Sequence, residues 1–123
     1  MNNIDNLCDS VRTAGFSLHK YLRHGHSEKV YENGLKHRLE IQGLKIQQQH
    51  PISVRDEDGF ALGDFYADLL VENKILVELK AVRATNADHV AQLIGYLRAT
   101  DIEYGLLINF GAPKFSIKRY ILT

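Results

Sequence analysis

The stretch FYADLLVENKILVELK, residues 65–80, contains two apolar runs that are separated by the polar segment Glu72-Asn73-Lys74. Apolar runs of this length around a short polar connection are typical of a β-hairpin. Charged residues interrupt both runs: Asp68 lies in the first run, and Glu78 and Lys80 lie in the second. The stretch therefore predicts an antiparallel pair of strands that carries charged groups in an apolar setting.

The length of the hairpin loop decides where these charged groups lie. A three-residue loop pairs Val71 with Ile75 and places four side chains on one face, namely Asp68 opposite Glu78 and Tyr66 opposite Lys80. A two-residue turn would instead put the two carboxylates on opposite faces. Facing carboxylates repel each other, so a divalent cation is a natural reason for the first arrangement. Hard oxygen ligands favour Mg²⁺ or Mn²⁺ at such a place.

The sequence on either side predicts three helices and four further strands. The helices follow from apolar residues at three- and four-residue spacing, and the strands from shorter apolar runs. The predicted helices are residues 3–22, 28–42 and 87–99, with N-caps at Ser27 and Asn86, and the further strands are residues 44–49, 52–55, 104–110 and 115–122. This order, α-α-β-β-β-β-α-β-β, predicts an α/β (α+β) fold with helices flanking a mixed central β-sheet.

Two helices carry further candidate residues. Glu28 lies in the first turn of the second helix, and at 100° per residue it projects between the directions of Leu35 and Leu39, into the buried stripe. On the last helix, a polar ridge that is suited to a phosphate backbone consists of His89, Gln92 and Tyr96. The other histidines lack zinc-site spacing, so we expect no zinc.

Each of these features also has a purely structural interpretation. Glu78 and Lys80 fit the solvated face of an edge strand, Asp68 fits a satisfied buried polar group, and Glu28 fits an acid favoured by the helix dipole. The ridge on the last helix fits ordinary boundary residues with amphipathic tips. The convergence of three carboxylates favours the metal interpretation.

Composition limits the classes of protein to consider. The 123 residues, 45% hydrophobic and 24% charged, predict one globular domain over residues 1–123. Fifteen Lys plus Arg offset fifteen Asp plus Glu, so a polyanionic partner requires a local patch of positive charge. The single cysteine, the missing signal-peptide pattern and the absence of an apolar run near the roughly 20 residues of a membrane span lead us to expect a cytoplasmic protein without membrane contact.

The charged residues of the hairpin match a known nuclease signature. Asp68 followed by Glu78-Leu79-Lys80 resembles the D-x(n)-E-x-K signature of the PD-(D/E)XK nuclease superfamily, with Ala67 where the superfamily's name has proline. Gln92 and Tyr96 resemble the Q-x-x-x-Y element of one branch. Several blocks together resemble the small GxxExxY family: Gly25 to Tyr31 (GHSEKVY), and residues 67–71, 77–81 and 105–111.

The resemblance implies a restriction-endonuclease-like core of α-β-β-β-α-β order. It implies that Asp68 and Glu78 are metal ligands and that Glu28 is a helix-borne ligand or water-positioning acid. It implies that Lys80 orients the attacking water or stabilises the transition state. Gln92 and Tyr96 would support the site or contact DNA.

These observations lead to two hypotheses of different kinds. The first is a Mg²⁺-dependent phosphodiesterase, with Mn²⁺ as the alternative ion, that hydrolyses DNA by attack of an activated water. The second is a catalytically inactive nuclease-fold module for nucleic-acid binding or protein interaction, favoured by the neutral net charge. Because so short a chain offers little surface to grip a duplex, we also expect a homodimer, formed through the first helix.

Overall fold

A computed structural model describes residues 3–123, so the first two residues of the predicted 1–123 domain lie outside the described part. Two helices, three strands, a helix and two strands follow one another along this part of the chain. Their bounds are α1 Ile4–Leu22, α2 Glu28–Ile41, β1 Ile46–Arg55, β2 Ala61–Val71, β3 Ile75–Lys80, α3 Ala87–Thr100, β4 Tyr104–Asn109 and β5 Ser116–Ile121. The predicted α/β class is confirmed.

The strands within residues 3–123 form one mixed five-stranded sheet in the order β1-β2-β3-β4-β5. β3 and β4 run parallel and are connected through α3, whereas all other neighbouring strands are antiparallel. Strands β3 and β4 are buried along nearly their whole length, which is typical of parallel strands that are covered by helices on both faces. This architecture agrees with the restriction-endonuclease-like core that the resemblance implied.

The predicted number of strands is wrong by one. The predicted strands 44–49 and 52–55 form the single strand β1, which continues through Pro51. Pro51 pairs with Tyr66 of β2, and Gln49 takes a positive φ of 56° within the strand. The chain tolerates this proline because β1 lies at the edge of the sheet, where a missing N–H can face solvent.

Two hydrophobic cores cover the two faces of the sheet. α1 and α2 pack on one face, and α3 packs on the other. Fully buried side chains of the first core include Val11, Tyr31, Leu35, Val77 and Ile108, and those of the second include Leu76, Leu93 and Leu97. Because the apolar stripe of α1 is buried inside the chain, the predicted homodimer contact cannot use that stripe.

The helix starts show which predicted caps form. Asn3 accepts a hydrogen bond from the Asn6 N–H, 2.8 Å away. Asn86 and His89 form the two reciprocal hydrogen bonds of a capping box, with lengths of 3.1 and 3.2 Å, which confirms the predicted cap at Asn86. Ser27 occupies the N-cap position of α2, but its side chain makes no capping hydrogen bond. No helix between residues 3 and 123 is long and apolar enough to cross a membrane.

A buried asparagine joins the chain segments that follow β3 and β4. The Asn109 Oδ1 accepts hydrogen bonds from the N–H groups of Val82 (3.2 Å) and Gly111 (3.0 Å), and its Nδ2 donates to the Val82 carbonyl (3.0 Å). Gly111 is required here because a Cβ would clash with the backbone of Val82. These contacts hold in place the end of β3 that carries Lys80.

Candidate active site

The β2–β3 hairpin has the predicted three-residue loop. Val71 pairs with Ile75, and the pairing continues for two more residues on each strand. Asp68 and Glu78 are the next residues on their strands, which places them beside each other, as the three-residue loop requires. The predicted hairpin register is therefore confirmed up to this point.

Backbone hydrogen bonds fix the two acids against each other's strand. The Asp68 N–H donates to Glu78 Oε1 at 3.2 Å, and the Leu79 N–H donates to Asp68 Oδ2 at 2.8 Å. Each carboxylate thus accepts a hydrogen bond from the backbone of the neighbouring strand. Asp68 and Glu78 form a rigid acid pair.

Burial makes the charged form of this acid pair unfavourable. Glu78 is only 5% exposed, and burial together with the negative charge of Asp68 raises its pKa to about 8. Burial also raises the pKa of Asp68, although the hydrogen bond from the Leu79 N–H acts in the opposite direction. A second negative charge on the pair is therefore unfavourable unless a cation compensates it.

Lys80 ends β3 two residues after Glu78, so both side chains leave the strand on the same side. Burial and Asp68 raise the pKa of Glu78, and the positive charge of Lys80 opposes this rise. Lys80 forms no ion pair with any residue of the described range 3–123. Its ammonium group is therefore available to a ligand. Tyr66, which was predicted to face Lys80, lies beyond the paired part of the β2–β3 ladder and is 57% exposed.

Glu28 does not point into the core, so the predicted orientation of its side chain is wrong. It is exposed, and burial in α2 begins only one turn later, at Tyr31. A helical wheel gives the direction of a side chain around the axis, but it does not show whether a packed layer lies beneath that turn. As a metal ligand or water-positioning acid, Glu28 stays a prediction.

Glu32 is the buried acid of α2, and the sequence analysis missed it. Its side chain is 4% exposed. Glu32 lies three residues before Leu35 and seven before Leu39, which is the spacing of the same buried stripe. That spacing is the signal that could have identified it, one turn further along the helix than Glu28.

A lysine and two glutamines compensate the charge of Glu32. Its carboxylate accepts hydrogen bonds from Lys29 Nζ (2.8 Å), Gln48 Nε2 (2.6 Å) and Gln49 Nε2 (3.0 Å). Burial by itself raises the pKa of Glu32, but these hydrogen bonds outweigh burial and lower it. Gln49 Nε2 also lies 3.5 Å from Asp68 Oδ1, so one amide group connects Glu32 to the acid pair.

The three predicted residues of α3 have different surroundings. Tyr96 lies partly buried near the acid pair, since burial and the charges of Glu78 and Asp68 raise its pKa. Gln92 is exposed one turn earlier on the same helix, where it can meet a ligand of the site. His89 belongs to the capping box, so one of its ring nitrogens has a structural role.

The acid pair fits a hard divalent cation. Two adjacent carboxylates that destabilise each other supply hard oxygen donors, and Mg²⁺ is usually held by one or two carboxylates together with water and substrate phosphates. Within residues 3–123, no group of three or more His, Cys, Asp or Glu side chains is arranged to hold a metal. Asp68 and Glu78 are the donors that the hairpin brings together. Besides burial, the negative charge of Glu28 contributes to the raised pKa of Asp68, and Glu28 stays a predicted third ligand.

Comparisons with known proteins bear on the fold and the family of this chain. The crystal structure of SSO0001 matches with a TM-score of 0.64 and 18% sequence identity, over 76% of this chain, and it supports the fold alone. This chain spans 50% of the length of that chain. No curated protein matches the sequence. The sequence profile of the PD-(D/E)XK nuclease superfamily matches residues 5–120, which include every residue of the candidate site. This chain belongs to the PD-(D/E)XK nuclease superfamily.

Proposed function

We propose that this chain is a Mg²⁺-dependent nuclease that hydrolyses phosphodiester bonds of DNA, and that it belongs to the GxxExxY branch of its superfamily. The observation that carries the proposal is the rigid acid pair with an available lysine two residues after Glu78. A buried acid pair without full compensation destabilises the fold, and such groups concentrate at functional sites.

Each residue of the site has a role that follows from its position. Asp68 and Glu78 would hold Mg²⁺ or Mn²⁺, and the bound ion would supply a Lewis acid beside the scissile phosphate. Lys80 would place its ammonium group where negative charge develops on the phosphate oxygens. Glu32 would orient Asp68 through Gln49, whose amide contacts both acids.

Tyr96 and Gln92 would contact the substrate or support the acid pair. The support for this role is the effect of the acid pair on the pKa of Tyr96, together with the one-turn spacing of the two residues on α3. His89 begins the same helix and would reach a phosphate only with the ring nitrogen that the capping box leaves available.

A nuclease-fold module without catalytic activity is the second candidate. The neutral net charge favours it, because a duplex-binding surface usually carries excess positive charge. Such a module would bind nucleic acid or a protein partner without cleaving DNA.

A cleavage assay distinguishes the two candidates. Single-stranded, double-stranded and branched DNA are each incubated with the protein in Mg²⁺, in Mn²⁺ or in EDTA. We expect cleavage with either metal and none in EDTA. Glu78→Gln should abolish cleavage, whereas the exposed control Glu57→Gln should retain it. No cleavage of any substrate with either metal would favour the inactive module.

We also propose a homodimer, since cleavage of two DNA strands requires two sites. The support is chemical rather than geometric, because the apolar stripe of α1 is buried within the chain. Sedimentation equilibrium should give twice the mass of the chain. The mass of a single chain at the concentration used for cleavage would contradict the dimer.

A further inference from the structure

A basic cleft of about 410 Å³ lies between the last turns of α1 and the segment that connects β4 to β5. None of its described lining residues is acidic, so we call it the basic cleft. Its walls include three cations, Lys20, Arg23 and Lys114, and three aromatic residues, Phe16, His19 and Phe115.

The cations of the basic cleft are not neutralised by the protein. Other cations of the chain, such as Lys29, Lys36 and Arg119, form ion pairs with nearby acids. Across residues 3–123, none of the three cleft cations forms such a pair. On a chain whose net charge is zero, this local excess of positive charge is the patch that a polyanion would require.

The aromatic side of the basic cleft combines an exposed ring with a rigid support. Phe16 is 56% exposed and packs edge to face against Phe115, with ring centroids 6.2 Å apart. Phe115 packs in turn against Phe110 at 5.5 Å. A hydrogen bond of 2.9 Å joins the His19 ring to the Ala112 carbonyl and anchors the connecting segment. Phe16 thus presents a supported apolar surface to solvent.

A short series of contacts links the basic cleft to the active-site end of the sheet. The Tyr31 hydroxyl donates to the Arg23 carbonyl, and the Tyr31 ring stacks on Phe110 at 4.6 Å. The Phe110 N–H donates to the Lys80 carbonyl at 2.8 Å. These contacts join the wall of the cleft to the backbone of Lys80, whereas alternation along β3 places the Lys80 side chain on the opposite face of the sheet, the face of α3.

We propose that the basic cleft binds a single-stranded segment of nucleic acid, with Lys20, Arg23 and Lys114 on its phosphates and an unpaired base against Phe16. Proteins that bind single strands combine a positive groove with aromatic rings on which bases stack. A duplex keeps its base faces inside its own stack, so an exposed ring contributes little to duplex binding. The inference rests on the proposed function, because it assigns the single-stranded part of the substrate to a surface whose wall is joined to the backbone of Lys80.

The phosphate contacts are tested by removing two cations. Lys20→Ala/Lys114→Ala is compared with Lys45→Ala/Lys118→Ala, which removes the same charge from exposed positions outside the cleft. The dissociation constants for labelled thymidine and uridine oligonucleotides are measured by fluorescence anisotropy in EDTA at several salt concentrations. The two oligonucleotides distinguish DNA from RNA as the source of the single strand.

We expect the cleft variant Lys20→Ala/Lys114→Ala to bind the oligonucleotides at least about tenfold more weakly than the wild type does. Its slope of log K against log salt should fall by about 1.4, because each phosphate contact on a single strand contributes about 0.7. The control variant should retain both values within experimental error. Equal losses in the two variants, or an unchanged slope in the cleft variant, would overturn the assignment.

The base contact is tested with a matched pair of exposed aromatic residues on α1. Phe16→Ala should weaken single-strand binding about fivefold or more, since stacking of one base is worth at least about 1 kcal/mol. It should leave duplex binding unchanged. Tyr21→Ala, at a position 78% exposed and outside the cleft, should affect neither. Equal weakening of single-strand and duplex binding by Phe16→Ala would overturn the stacking role.

Binding in EDTA separates this inference from the proposed function, because it requires neither metal nor cleavage. If the protein cleaves DNA while Lys20→Ala/Lys114→Ala binds single strands normally, the proposed role of the basic cleft is wrong and the nuclease function stands. If Lys20→Ala/Lys114→Ala loses affinity for single strands while no substrate is cleaved, the binding role of the cleft stands and the nuclease function is wrong. A wild-type protein that does not bind single strands would contradict the proposed role of the basic cleft.

Discussion

Glu78 and Glu32 are buried to a similar extent, at 5% and 3% exposure, but neighbouring groups shift the pKa values of the two carboxyls in opposite directions. At the β2–β3 hairpin, burial and the negative charge of Asp68 raise the pKa of Glu78 to about 8. At the α2–β1 contact, burial opposes ionisation of Glu32, but hydrogen bonds from one lysine and two glutamines lower its pKa. Burial alone therefore does not identify a functional acid in this protein.

The difference separates an acid that supports the fold from acids that are available for chemistry. Glu32 has its donors within the chain, so its charge costs little and it can orient its neighbours. The acid pair lacks sufficient donors, so a ligand of positive charge would gain from binding there. The four predictions below test this contrast, beginning with the largest expected effect.

Lys80→Ala should have the largest effect, because it removes the cation whose charge acts on Glu78. We expect cleavage to slow by about 10² to 10³-fold, which is typical for the loss of one group that stabilises transition-state charge. Mg²⁺ affinity should persist, since lysine is not a metal ligand. Single-turnover cleavage and isothermal titration calorimetry measure the two effects. Loss of Mg²⁺ affinity in this variant would contradict the role of Lys80.

The metal-free protein should lose stability as the pH rises from about 5.5 to 7.5. The pKa of Glu78 is about 8 in the folded state against 4.5 for the free side chain, so the folded state binds more protons in this range. The free energy of unfolding then falls with rising pH, by at most about 1.4 kcal/mol per unit for one group.

Thermal unfolding in EDTA at several pH values measures this dependence. The variant Glu78→Gln separates the effect of Glu78 from that of the histidines. Because this variant lacks the group whose pKa is shifted, its unfolding midpoint should change less with pH. A wild-type midpoint that rises across the same interval, with Glu78→Gln following it, would contradict the raised pKa.

Glu32→Ala and Glu28→Ala compare two acids one turn apart on α2. Glu32→Ala should lower the free energy of unfolding by about 2 kcal/mol, because it removes charge-assisted hydrogen bonds at a buried position. Glu28→Ala should change it by less than about 0.5 kcal/mol, as is usual for an exposed position. Urea unfolding of both variants provides the measurement. Equal losses would show that Glu28 also has buried partners.

Asp68→Asn should raise the thermal midpoint of the metal-free protein by the equivalent of about 1 kcal/mol, since it removes one charge from the acid pair. Asparagine retains an oxygen that can accept the Leu79 N–H. The variant should also lose the stabilisation that Mg²⁺ gives the wild type by binding only the folded state. A lower midpoint, together with a wild type that does not respond to Mg²⁺, would contradict the metal site.

Several features of the site could be predicted because they depend on short-range geometry. The side-by-side position of Asp68 and Glu78 follows from the three-residue loop between their strands, since strand residues alternate faces with a period of two. The cap at Asn86 depends on a residue only three positions away. In both cases the geometry depends on residues close together along the chain, and the structure supplies the loop length that the sequence left open for the hairpin.

Other features could not be predicted because they depend on how far one element extends over another. Glu28 and Glu32 share a stripe of α2, but only the packed layer beneath the helix determines which of the two is buried. Likewise, Pro51 interrupts the strand pattern, and only the edge position of β1 explains why the strand continues through it.

The sequence by itself determined the α/β class and a β2–β3 hairpin that carries Asp68 and Glu78, because these follow from periodicity. The structure chose the three-residue loop over the two-residue turn and so fixed the register. Only the tertiary structure decided that Glu32 joins the acid pair through Gln49, and that Lys20 and Lys114 line one cleft. The physical reason is distance along the chain. Contacts between elements far apart in sequence depend on the packing of layers, which no local pattern encodes.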